Sequence, residues 1–224
     1  MRKLFFVVMF AMVANMILGQ STTETMIWPS VKIDKKINKK TTVRLEHETR
    51  YNLTESALGR LGNTLEVDYS ISKSFNGGAA YHHIYNHDIS KNIYANRHRY
   101  YLYLRYRRKI GDFSFYVRER FQSTYYNKSV ESGKYTPQNA LRTKAQISYR
   151  IRTLSLTPYL SGQFKYLVNH PKKNEIDKTR WSLGVEYKIS KMFTIDLYYQ
   201  KENEHNAKNP DNYDIIGTVL KIKL

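Results

Sequence analysis

Cysteine is absent from the 224-residue chain. Disulfides, thiol catalysis and a lipid anchor on a cleavage-site cysteine are excluded with it. A secreted domain without staples needs a large core, a membrane or a closed sheet. Acidic residues are scarce: 19 Asp and Glu stand against 37 Lys and Arg, a formal net charge of +18. That imbalance points to an anionic partner, such as nucleic acid, lipid headgroups or an acidic solute. Long hydrophobic runs are scarce too. One covers residues 4–18, and no later stretch approaches the roughly 20 apolar residues of a membrane helix. No helical period is sustained anywhere beyond it. There is no G-x-S-x-G, and "NGGAAY" lacks the lysine and the strand–loop–helix context of a phosphate loop.

What is present begins with MRKLFFVVMFAMVANMILGQ. Two basic residues, an apolar stretch and the small Gly19 read as a secretory signal over residues 1–19. The same run is short for a spanning anchor. Export argues against a nucleic-acid partner, and residues 20–224 remain as a single domain.

The dominant pattern in that domain is alternation with period two, the mark of strands with two unlike faces. Eleven candidate strands emerge, at about 26–36, 41–51, 61–72, 75–86, 96–110, 113–125, 140–152, 155–168, 179–189, 193–203 and 213–224. Their connections alternate between tight turns, such as the hairpin signal Gly111-Asp112, and longer polar loops. The sequence therefore predicts an all-β fold: a transmembrane antiparallel up-and-down β-barrel of about 10–12 strands. Short periplasmic turns would lie at one end and longer extracellular loops at the other. An even count is expected. Proline is confined to strand edges, starts and bulges, so Pro29 marks the first segment as the weakest. Either that segment does not span, leaving ten, or a further early strand makes twelve.

The two faces differ in kind. Leu141, Thr143, Ala145, Ile147, Tyr149 and Ile151 share one side of a strand, with Arg142, Lys144, Gln146, Ser148 and Arg150 on the other. On the apolar faces, aromatics gather toward the strand ends. Tyr106, Phe113, Tyr149, Tyr187 and Phe193 lie toward the short turns, and Tyr100, Tyr166, Trp181 and Tyr199 toward the long loops. Aliphatic residues such as Leu102, Leu104, Ile147 and Leu197 lie between them. Two aromatic belts around an aliphatic band are what a bilayer selects. Glu119 falls on the apolar side and requires a bulge or a pairing with Arg108.

The pieces "KKINKKTTVRLEHETRYN" (35–52), "NRHRYYLYLRYR" (96–107), "LTPYLSGQFKY" (156–166), "DKTRWSLGVEYKISKMFTIDLYYQ" (177–200) and "NYDIIGTVLKIKL" (212–224) run in the order of a known family. The chain resembles the exported proteins grouped as domain of unknown function 2490, which look like small outer-membrane barrels of Gram-negative bacteria. The resemblance spans essentially the whole exported part. It implies location and fold, and it supplies no activity and no functional residues. Leu224 departs from the terminal aromatic common in such barrels.

The charged faces carry the candidate chemistry. Inward cations concentrate on the middle strands: Arg97, Arg99, Arg105, Arg107, Lys109, Arg118, Arg120, Arg142, Lys144, Arg150 and Lys165. Inward acids concentrate on the early and late ones: Glu46, Glu48, Glu66, Asp68, Glu186, Asp196 and Glu202. Closing the sheet would set an acidic wall against a basic one. Cross-barrel salt bridges that plug the lumen are one reading; a basic path for a small anionic solute is the other. His82, His83 and His87 are poor metal ligands, since adjacent strand residues point to opposite faces. No cofactor, metal or nucleic-acid partner is expected. The sequence reads as a monomer among outer-membrane lipids, structural or a narrow anion-favouring pore rather than an enzyme. The alternatives are a lipid-modifying enzyme and a soluble secreted β-rich binding protein.

Overall fold

The structure is a computed structural model that describes residues 23–205 and 210–224, apart from the side chain of Ser90. The signal reading at residues 1–19 lies outside the described residues. Eleven strands follow in order: β1 (Thr23–Lys36), β2 (Thr41–Asn52), β3 (Ala57–Ser70), β4 (Phe75–Asp88), β5 (Ile93–Ile110), β6 (Phe113–Tyr126), β7 (Gln138–Tyr149), β8 (Leu156–Leu167), β9 (Ile176–Lys188), β10 (Phe193–Glu204) and β11 (Asn212–Lys223). Each pairs antiparallel with its sequence neighbour, and β1 meets β11 to close the barrel.

The count of eleven corrects the expectation of ten or twelve. With an odd number of up-and-down strands, the first and last run the same way. The closing pair is accordingly parallel, from Thr23↔Asn212 to Asp34↔Lys223. Pro29 sits inside β1 rather than excluding it. It faces Thr218 across the parallel seam, and the ladder to β2 skips from Ile27↔Tyr51 to Ser30↔Glu48. The missing N–H is thus accommodated by a local interruption.

The longer connections β6–β7, β8–β9 and β10–β11 all leave from and return to strand ends on one side of the barrel. At that end 53–56 and 89–92 are short, because β3 begins at Ala57, β4 runs to Asp88 and β5 begins at Ile93.

Apolar side chains point outward and polar ones inward, so the core is polar. Leu102 is 62% exposed and Trp181 56%, while Glu66 is 4% exposed and Gln122 1%. On the outer face, Phe75 lies 5.0 Å from Tyr106 and Phe113 4.8 Å from Tyr149, ring to ring across neighbouring strands. Tyr100, Tyr187 and Phe193 are exposed there. Tyr166 and Tyr199 are half-buried, and their hydroxyls donate to Asn174 O (3.4 Å) and Asp214 Oδ1 (2.5 Å).

Besides Asp214, further outer features run against the apolar rule. Glu119 has neither a bulge nor Arg108 beside it. It lies in regular register between Leu104 and Thr143, and the Thr143 hydroxyl donates to it at 2.5 Å. A polar row crosses β2 to β5, with His47–Asn63 (2.8 Å), Tyr81–His98 (2.7 Å) and His83–Asn96 (2.9 Å) satisfying one another.

Inside, large and small residues alternate along one ladder of five strands. Tyr159 faces Gly184, Gly184 faces Tyr198, Tyr198 faces Gly217, and Gly217 faces Trp28. A Cβ on Gly217 would sit 2.0 Å from Tyr198 Cζ, so the ring lies on bare backbone. Tyr103 covers Gly78 in the same way. These contacts pin the strand register while holding aromatic rings against the lumen wall.

Candidate functional site in the barrel lumen

Period two places one charged face of every strand inside, and register decides which charges meet. On one side of the lumen they meet well. Arg44 donates from Nε to Asp34 Oδ1 (2.6 Å) and from Nη1 to Glu66. The other Glu66 oxygen accepts from Tyr101 Oη at 3.1 Å. Tyr103 Oη lies within hydrogen-bonding distance of Glu66 Oε1 (3.0 Å) and Asp68 Oδ2 (2.6 Å), and Arg105 Nη2 reaches Asp68 at 2.5 Å. Glu46 pairs with Lys32 (2.9 Å) and Glu48 with Arg50 (2.6 Å). Across the seam, Lys221 lies 2.8 Å from both Glu186 and Asp196, and Tyr159 donates to Asp196 (2.9 Å). Glu202 takes Arg180 (2.5 Å) and Lys178 (3.2 Å). Every inward acid expected from the sequence is therefore occupied.

The middle strands are different. Register sets Arg105 opposite Arg118 and Arg118 opposite Lys144. The next inward level sets Arg120 opposite Arg142 and Arg142 opposite Lys165. Like charges directly opposite destabilise a sheet. One end of each row has a partner: Arg105 has Asp68, and Lys165 has Asp177 at 2.8 Å. The other four, Arg118, Arg120, Arg142 and Lys144, form a block on β6 and β7. Among the described residues no carboxylate lies within ion-pairing distance of any of them. Arg120 and Arg142 are 8% and 9% exposed. The Nε atoms of Arg118, Arg120 and Arg142 are buried without a hydrogen-bond partner.

What supports the block is aromatic and amide. The Arg120 guanidinium lies 4.5 Å above the Tyr101 ring. Gln122, one inward step along β6, has both amide atoms buried and unpartnered. Arg99 donates to Thr124 Oγ1 at 3.0 Å and likewise has no carboxylate. Burying a guanidinium without a counter-charge is costly, and in Arg118, Arg120 and Arg142 the Nε atom is the one buried without a partner.

The remaining sequence candidates fall elsewhere. Arg97 pairs with Glu131, from the β6–β7 loop. Arg107 is exposed, 5.5 Å from the Tyr116 ring near the short-turn end. Arg150 is exposed one residue past the end of β7 at Tyr149, and its backbone N–H donates to Asp112 O at 2.9 Å. The sequence reading had missed Arg44, Arg50, Arg60, Lys178 and Lys221, although extending period two along each strand would have found them. His82 and His83 point to opposite faces as expected, with His82 over Gly62 inside.

A family model described as "Protein of unknown function (DUF2490)" matches residues 25–214. No curated protein matches the chain in sequence. Among solved structures, the NanC porin in a rhombohedral crystal form is similar, with a TM-score of 0.56 and 17% identity. The match covers 86% of this chain and 91% of the porin's. At that identity the likeness is one of fold.

Proposed function

The chain belongs to the DUF2490 family of proteins of unknown function, and from that premise we propose that it is an outer-membrane barrel whose lumen takes up small anions. The four-cation block of Arg118, Arg120, Arg142 and Lys144 carries this reading. The neighbouring acids are taken by other cations, so the block offers uncompensated positive charge to a solute. Guanidinium forks and the free Gln122 amide suit oxyanions and carboxylates. The function needs only charge and position, and no reaction is assigned. The outward apolar face and its aromatic belts fit a lipid surround. They run against a soluble binding protein, which would bury that face.

The test is ion preference. The purified protein in a planar bilayer under a KCl gradient is expected to show a reversal potential on the anion side. Replacing Arg120 and Arg142 together by Gln should move it toward zero. The ion-pair lattice on β1–β3 and β9–β11 favours a second reading, a closed structural barrel. Absence of conductance in both KCl and potassium acetate would support that one and sink the first.

A further inference from the structure

The β6–β7 loop, residues 127–137, does not stand clear of the barrel. Its apex residues Ser132, Gly133 and Lys134 are exposed, while Val130 and Glu131 are half-buried. Backbone bonds from Glu131 N to Asn127 O (2.7 Å) and from Lys134 N to Glu131 O (3.0 Å) shape that turn. The Glu131 carboxylate accepts from Arg97 Nε at 3.1 and 3.0 Å and from Nη2 at 2.5 Å. The two side chains are only 14% (Arg97) and 10% (Glu131) exposed.

Arg97 is on the inner face of β5, near its long-loop end, and its guanidinium lies 5.1 Å from the Tyr126 ring. One inward step along the strand is the unpaired Arg99, and the next is Tyr101, beneath Arg120. Arg97 is thus the outermost cation on a line that leads to the four-cation block. The acid upon it comes from a loop, not from the ladder.

We propose that Arg97 is a carboxylate-binding position at the mouth of the lumen, and that Glu131 is a tethered carboxylate that fills it until an incoming carboxylate displaces it. The proposal rests on the anion-uptake reading and names its ligand class and its gate. A guanidinium fork pairs with a carboxylate through two N–H groups, which is the contact Glu131 makes from within the chain. The base of the loop is held by bonds independent of that pair. Tyr126 N donates to Thr136 Oγ1 (3.1 Å), and Asn169 Nδ2 donates to Pro137 O (2.9 Å). The part that must yield is therefore residues 127–134. A group on so short a tether competes at an effective concentration in the millimolar range. Free carboxylates at such concentrations displace it.

The experiment is bilayer recording of the full-length protein with acetate as the probe, at constant ionic strength against chloride. Wild type is expected to conduct more as acetate rises through the millimolar range, with no such rise in chloride alone. Glu131→Gln should conduct at the acetate-saturated level from the start and lose the acetate dependence. Arg97→Lys keeps the charge but not the fork, and should lose the acetate dependence too. An unchanged gel mobility shift on boiling shows that each variant still folds. If acetate and chloride act alike on wild type and Glu131→Gln conducts as wild type does, the gate is refuted. The anion-uptake reading survives that outcome if the Arg120/Arg142 double replacement still reduces anion preference. If it does not, that reading falls as well.

Discussion

Two arginines on the inner wall, Arg44 and Arg142, should respond to the same substitution differently: one loss should destabilise and the other should not. Arg44 is held between Asp34 and Glu66, and Glu66 is almost completely buried. Arg44→Gln leaves two carboxylates short of their counter-charge, and removing one partner of a buried pair costs about 3–5 kcal/mol. The pair retains some exposure, so the lower end, about 3 kcal/mol, is expected. Arg142 faces two like charges, Arg120 and Lys165, across β6 and β8. Arg142→Gln removes both repulsions, each about 0.2–1 kcal/mol for a directly opposed pair. It gives up some packing of the arginine stem in return. Arg142→Gln should therefore be neutral or stabilising by about 1 kcal/mol, while anion preference falls. Urea titration in detergent micelles, followed by loss of the compact gel form, measures both. If Arg142→Gln destabilises as much as Arg44→Gln, Arg142 has a structural partner and the uncompensated block does not exist.

Other substitutions test the packing. Gly217→Ala drives a methyl into the Tyr198 ring and should cost about 1–3 kcal/mol. Tyr198→Ala should absorb most of that cost in the double variant, as a double-mutant cycle in micelles would show. Glu119→Leu removes a carboxylate from the outer face, where the Thr143 hydroxyl donates to it. It should stabilise the protein by about 1–2 kcal/mol in refolding into vesicles, somewhat less than the penalty of a midplane cation. No gain would mean that residue 119 does not meet hydrocarbon.

Strand number and the separation of faces were legible because period two is a local signal, repeated along each strand. Leu102, Tyr103 and Leu104 announce their sides within three residues. Which cation meets which acid was not legible. Register between strands is a long-range property, and a single step would exchange Arg118's neighbour Lys144 for an outward residue. The odd count was visible in the sequence, but parity was expected to correct it. The parallel seam that resolves it joins residues nearly 200 positions apart, and no local pattern reports that. Glu131 was invisible for another reason: a loop has no period to say which way a side chain turns. Arg150 shows that alternation in the sequence can run one residue past the end of the strand.

The lumen exists only if the charged faces enclose it and the apolar faces meet lipid. The chain's two tryptophans sit on opposite sides of that division. Trp28 is 3% exposed and faces inward, with the Arg50 guanidinium 3.6 Å above its ring; Trp181 is 56% exposed on the outer face. Fluorescence quenching by lipids with brominated chains, on the Trp28→Phe and Trp181→Phe forms, separates them. Strong quenching of the form that keeps Trp181, and little of the form that keeps Trp28, is the predicted result. Strong quenching of Trp28 with Trp181 untouched would turn the barrel inside out, and the cation block would no longer line a lumen.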